Sequence, residues 1–269
     1  MNLKNVKKHL RVYKIFFVAF LKSRLIYKTD FVLGVLSQTI HLVFSLAFLT
    51  LIFTQVESIQ GWGFNEILLL VGFGGLILNL HHIFLFALYT FGEDKIVTGR
   101  FDRFLVRPLN PLFQVYASYV SDNNISKLLV NIALIVYAGQ RVDATIFTFE
   151  NLLYGSLATV SGVLVLAGIF LGFATTAFWT GRSKAVFWLF FNVSDFRKYP
   201  FGIYALPIQL MLVTVIPIAF ASFFPVTFFL EREQWRIWQY LSLVAGPIFF
   251  LVSYKFWSHG VSNYSSTGS

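Results

Sequence analysis

Few side chains in this sequence could do chemistry, and fewer stand at a useful spacing. His81 and His82 are adjacent, and neighbouring residues on a helix point in different directions, so the pair is a poor metal site. His41 could join one of them. Histidine inside a membrane span faces the bundle or an aqueous cavity, where structural hydrogen bonding competes with proton relay. Asp122, Asn123, Asn124 and Lys127 form the most polar cluster. Lys127 lies five residues from Asp122, beyond the best helical pairing distance. Either the cluster lines a polar path, or the apolar segment starts later and the cluster sits near the cytoplasmic face; the second reading is preferred. His41, His81 and Asn79 are the other intramembrane residues that could line such a path.

Enzyme motifs are absent. No G-x-x-x-x-G-K-[ST], H-E-x-x-H or G-x-S-x-G occurs. There is no cysteine, which excludes disulfides, thiolate metal sites and cysteine nucleophiles. The sequence predicts no catalytic residue and no metal site in this chain.

The elements that would position these groups are membrane helices. The chain has 269 residues, 57% hydrophobic and 12% charged, against about 25% charged in soluble domains. Uncharged runs of spanning length recur, apolar on all sides, so the predicted class is an all-α integral membrane protein. A β-barrel would show short alternating segments instead. Six spans are expected, near 31–53, 67–91, 116–138, 151–179, 203–225 and 237–256, forming one domain over 1–269. The run 185–193 is too short to span and is expected on the surface or as an extension of a neighbour. Residues 3–21 place leucines and aromatics opposite lysines and Arg11, which predicts an amphipathic interfacial helix within a cytoplasmic 1–30 segment; a plain stub of the first span is the alternative. The basic, then apolar start resembles a signal peptide, but its apolar stretch is short and lacks a small-residue cleavage site, so it is read as retained.

Basic residues set the orientation. Seventeen Lys and Arg fall in 1–30, 92–110 and 180–199 and at Lys255, against three on the opposite side. Both termini are therefore predicted to be cytoplasmic. The formal charge of +9 follows from topology and gives no case for nucleic acid. Trp62, Trp235 and Trp238 fall near outer ends, and Trp179 and Trp257 near inner ends, as an aromatic belt would. Gly168 and Gly172, and the "GFGG" at 72–75, suggest close helix packing, within the chain or between subunits.

Two soluble or broken stretches remain. Residues 92–111, "GEDKIVTGRFDRFLVRPLNP", mix charge with Ile96, Phe101, Phe104 and Leu105. This is either a solvated loop or a docking surface. The uncharged stretch 199–225 carries Pro200, Pro207, Pro217 and Pro225. Proline breaks a helix where no water can replace the lost bond, so a reason for the breaks is needed.

These stretches resemble bacterial type-2 ATP-binding-cassette permeases, in particular six-span exporter permeases of this length. "IVTGRFDRFLVRPLNPLFQVYA" looks like the loop after their second span. Tyr199, Pro200, Ile203, Tyr204, Ile216, Pro217, Ala219, Phe220 and Pro225 match a "YP-x-x-IY … V-I-P-x-A-F … Y-x-P" signature, with Phe224 where tyrosine is commoner. The tail "GVSNYSSTGS" is similar to the family's ending. The resemblance implies a permease subunit in the bacterial cytoplasmic membrane that exports an amphipathic drug, peptide antibiotic or lipid-like molecule. It implies a second permease subunit and a cytoplasmic ATPase dimer, which carries ATP and Mg; no cofactor binds this chain. Membrane lipid is the other partner. Glu93, Arg100, Arg103 and Arg107 would form the ATPase-docking surface. Pro217 and Pro225 would bend the chain into an external gate, and Pro200 and Pro207 would mark the inner start of the fifth span. A proton-coupled secondary transporter acting without an ATPase, using His41, His81, His82 or Lys127, is the alternative.

Overall fold

The computed structural model describes residues 28–119, 124–142 and 144–266. The expected interfacial helix at 3–21, and Asp122 and Asn123, lie outside them. The main helices are α1 (Lys28–Phe53), α2 (Phe64–Leu85), α3 (Pro111–Ala117), α4 (Ile125–Val142), α5 (Phe149–Thr175), α6 (Lys184–Ser194), α7 (Leu206–Thr214), α8 (Phe223–Phe229) and α9 (Arg236–Ser262). Among the described residues there is no named strand, only an isolated bridge between Ile59 and Trp62 in the α1–α2 turn. Among the described residues, four stretches are long and apolar enough to cross a bilayer, Phe64–Thr90, Ile125–Val142, Phe149–Thr180 and Glu233–Ser262, or five if the bent pair Leu206–Thr214 and Ile218–Phe229 is one span.

Local chemistry starts these helices where it does. The Gly63 N–H donates to Glu66 Oε2 at 2.8 Å, satisfying a donor at the mouth of α2. Asn110 accepts from the Phe113 N–H and Pro111 opens α3, where a missing N–H costs nothing. Thr148 caps α5 through the Asn151 N–H. The third span is shorter than the expected 116–138: α3 stops at Ala117 and α4 starts only at Ile125.

Small residues bring the long helices together inside this chain. α5 and α9 run parallel, since Tyr154 donates to the Gln239 carbonyl, Ser161 to the Ser242 carbonyl, and Gly246 N–H to Ser161 Oγ, all at a similar sequence offset. Gly168 packs on the backbone of Phe249 and Phe250. α2 and α4 run antiparallel, with Gly72 against Ile135 and Gly75 against Asn131. A Cβ at Gly75 would collide with the Asn131 side chain, so glycine is what lets these two backbones approach. The glycines singled out in the sequence therefore serve contacts within the chain.

The return run after α5 is not where the hydrophobic runs suggest. At its start, the Ser183 and Lys184 N–H groups donate to Glu93 Oε1, beyond the C-terminal end of α2. At its finish, the Phe201 ring packs on Phe223 and Trp235, and Gly202 approaches Gln60, before the N-terminal end of α2. Helix α2 is 22 residues, about 33 Å long at 1.5 Å per residue. Residues 184–203 thus run the length of the bundle as α6 followed by short 3-10 turns. The apolar run at 185–193 is the first part of this run.

The stretch expected to span, 203–225, instead enters and returns at one end. α7 and the segment Ile218–Phe229 meet at 73°. Ala221 and Ser222 reach Gly162 and Gly74, deep between α5 and α2. The chain then climbs back, and Arg232 reaches Glu66 at the start of α2. Pro200 and Pro207 accordingly stand at the end opposite residues 92–110. Two ends can be named: a platform end, with residues 92–110, and a hairpin end, with Trp62 and Arg232. Trp62 and Trp257 belong to opposite ends as expected, but they are 4% and 2% exposed. They anchor packing within the protein and do not sit in a lipid belt.

Candidate functional site

The platform is built on buried rings. The segment Gly92–Ile96 widens into a π-turn. Gly99, at φ +66°, then reverses the chain so that the Phe101 N–H bonds the Lys95 carbonyl at 3.0 Å. This drives Phe101 inward, fully buried between Phe91, Phe178, Trp257 and Tyr264, with ring centroids 5.2 to 6.0 Å away. Gln114 of α3 donates to the carbonyls of Phe104 and Leu109, both at 2.9 Å, and holds the rest of the loop. The C-terminal tail closes over it: Ser266 donates to Asp102 Oδ2 at 2.7 Å. Burial and the neighbouring Asp102 carboxylate push the Tyr264 phenol up to about 12.

The predicted docking residues divide. Arg100, Arg103 and Arg107 are exposed and make no ion pair among the described residues. Val97, Leu105 and Val106 stand exposed beside them, Val106 at 82%. Glu93 points inward: its Oε1 accepts from Ser183 and Lys184 at 3.2 and 3.0 Å, capping α6. It links the platform to the return run after α5 and leaves the outer surface to the arginines.

The hairpin holds the two gate prolines in different settings. Helix α7 ends at Thr214, and Pro217 stands at the bend, before a 3-10 turn at Ile218–Phe220. Pro225 is the third residue of α8, within the first turn, where the absent N–H has no helical partner to lose. The break therefore belongs to 215–217. On the return side, Arg232 Nη2 donates to both Glu66 oxygens, at 2.9 and 3.0 Å, and to the Gly61 carbonyl, and its guanidinium stacks 5.1 Å from the Trp62 ring.

Between the two ends lies a cavity of about 680 Å³, bounded by α1, α2, α4 and residues 195–199. One wall is apolar, with Phe44, Phe48 and Leu49 of α1 and Val130 of α4. The other is polar, with Asn79, His82, Lys127, Asn131, Arg197 and Tyr199. Arg197 is only 11% exposed at its side chain; Nη1 donates to the Ser194 carbonyl at 2.6 Å and lies 3.5 Å from Asp195 Oδ1. Lys198 Nζ is 2.8 Å from the same oxygen. Lys127 makes no ion pair among the described residues. The lining thus holds Lys127, Arg197 and Lys198 against Asp195 alone. Each charge at membrane depth costs about 2.5–3.5 kcal/mol on insertion scales, so such groups mark function by default.

The predicted path residues are only partly brought together. Asn79 lines the cavity, its Nδ2 donating to the Gly75 carbonyl at 2.8 Å. His81 does not: it is fully buried against Phe170, ring centroids 4.3 Å apart, with neither ring nitrogen partnered. Its neighbour His82 faces the cavity instead, with Nδ1 2.7 Å from the Leu78 carbonyl. His41 lies on α1, and its side chain is outside the described ones. Lys127 and Asn124 line the cavity, and α4 starts only at Ile125. Asp195, Arg197, Lys198, Tyr199 and Asn131 were missed. The sequence places Arg197 and Lys198 in a cytoplasmic loop, because 185–193 alone is too short to span. Among the described residues no group of three or more His, Cys, Asp or Glu could hold a metal ion.

Comparison with known proteins gives one positive finding. A family model described as ABC-2 family transporter protein matches residues 39–268. No curated protein matches the chain, and no solved structure matches it. The match covers most of the chain, including the cavity, the platform and the hairpin. The chain belongs to the ABC-2 transporter family, a family of integral membrane transport components that associate with an ABC ATPase.

Proposed function

Starting from membership of the ABC-2 family, we propose that this chain is the permease subunit of an ATP-driven exporter of an amphipathic substrate in the bacterial cytoplasmic membrane. It crosses six times, through α1, α2, α4, α5, residues 184–203 and α9. With Arg197 and Lys198 moved into the fifth crossing, fifteen basic residues remain on the platform side against three opposite, so the platform and both termini are cytoplasmic. Two ATPase subunits dock there, carrying ATP and Mg, and this chain pairs with a second permease, identical or homologous. The 206–229 hairpin is the external gate, bent at Pro217.

The observation that carries this reading is the platform: Arg100, Arg103 and Arg107 stand free on a segment whose core, Phe101, is locked against Trp257 of α9. Glu93 ties the same segment to the start of the fifth crossing. A force applied by a docked ATPase therefore reaches two crossings directly. Broken backbone is tolerated at membrane depth only where protein or a water-filled cavity covers it, which suits a gate buried against α2, α5 and α9. The tagged chain, purified gently from its native membrane, brings a stoichiometric ATPase with it if this reading holds. The second reading is a proton-coupled secondary transporter, favoured by His82 and Lys127 in one cavity. A clean oligomer without an ATPase, still active under a proton gradient, would establish it instead.

A further inference from the structure

We propose that the intramembrane cavity binds an anionic amphiphile, with its acidic headgroup held by Arg197, Lys127 and Lys198 and its acyl chain lying on the α1 wall. This rests on the permease reading and names the substrate class.

The charge balance comes first. Three cations face one carboxylate around the cavity, and Asp195 is itself 62% exposed at its side chain, a weak counter-ion for a guanidinium that is 11% exposed. Arg197 Nε is buried with no partner, so the guanidinium has donor capacity that the described protein does not use. Lys127 reaches the same cavity from α4. Cations converging from two elements at membrane depth fit a phosphate, sulfate or carboxylate far better than a neutral or cationic group.

The shape comes second. The cationic wall faces Phe44, Phe48 and Leu49, and Phe44 is 71% exposed, so the apolar wall continues out of the cavity along α1. A free inorganic anion would use only one wall. An amphiphile uses both. The hydrogen-bonding capacity of Asn79 and Asn131 is partly spent on their own helices, at the Gly75 and Lys127 carbonyls, which leaves the cations as the main determinants of the headgroup.

The test is photo-crosslinking in vesicles of equal parts phosphatidylglycerol and phosphatidylcholine, with the full chain and a diazirine-tailed probe of each lipid. The phosphatidylglycerol probe should crosslink to residues 44–49 and 127–131 about tenfold more than the phosphatidylcholine probe, whose quaternary ammonium brings a like charge to the three cations. Lys127→Gln and Lys198→Gln should each reduce that preference, and Lys127→Arg should retain it. The two lysine sites keep the test valid if Arg197→Gln fails to fold. Equal labelling by both probes, or a preference unchanged in both glutamine variants, overturns the proposal. Loss of labelling in millimolar inorganic phosphate would also overturn it, and would assign the cavity to a small anion. The readout needs no ATPase. A chain that labels as expected but never co-purifies with an ATPase keeps the amphiphile site and loses the permease reading.

Discussion

The platform and the cavity use the same residue types in opposite solvents. At the platform, Arg103 and Arg107 are exposed and the apolar rings of Phe91, Phe101 and Trp257 are buried beneath them. In the cavity, Arg197 is buried, while Phe44 and Phe48 on the facing wall are largely exposed. An exposed arginine costs the fold almost nothing, so its value lies in what it can touch. A buried one opposes folding unless something compensates it. Stability at the platform should therefore depend on rings and caps, and binding on arginines. In the cavity the arginine should carry binding at the expense of stability.

The sharpest way to break this contrast is Phe101→Ala. Removing a fully buried ring should cost about 3–5 kcal/mol, read as a large drop in the thermal midpoint in detergent together with loss of ATPase co-purification. A small drop would mean that the platform is not anchored by Phe101. Next comes Arg197→Met, for which the contrast predicts the reverse sign. Replacing a poorly compensated buried cation with an apolar side chain should be neutral or stabilising by up to about 1–4 kcal/mol. A strongly destabilised variant would make Arg197 a structural keystone and undo the comparison. Glu93→Ala should then cost about 1–2 kcal/mol, because the Ser183 and Lys184 N–H groups lose their acceptor at the start of α6; equilibrium unfolding measures it. Finally, Arg103→Glu with Arg107→Glu should move stability by no more than about 0.5 kcal/mol. The same pair should weaken ATPase association in a salt-dependent titration; unchanged association would take the docking surface elsewhere.

Within the family frame, the hairpin end adds a second contrast. Return-arm residues such as Phe224 and Val226 are buried, while Leu206 and Leu210 of the entering arm are more than half exposed. The arm that follows Pro217 is thus held by α2, α5 and α9, and the arm before it is free to face lipid or a second copy. Arg232 latches the held arm to Glu66 of α2.

Much of this was legible without coordinates. Helix class follows from uncharged runs of spanning length, because a backbone in hydrocarbon must satisfy its own hydrogen bonds. The charge bias survives moving Arg197 and Lys198, because it rests on many residues. Gly75 and Gly168 announced close packing through composition alone. The 92–110 segment is visible as a charged and aromatic mixture, stopped by Pro108 and Pro111. Only the tertiary structure decided that 184–203 runs the length of the bundle and 206–229 turns back. Length and hydropathy favour the longer, uncharged run, and they cannot register that Phe201 and Trp235 meet at one end while Ser183 meets Glu93 at the other. Nor could they separate His81 from His82, since that choice turns on which face of α2 meets Phe170 and which meets the cavity. Arg197 and Lys127 are seventy residues apart in sequence, and the charge they share exists only because α4 and the 184–203 run flank α2.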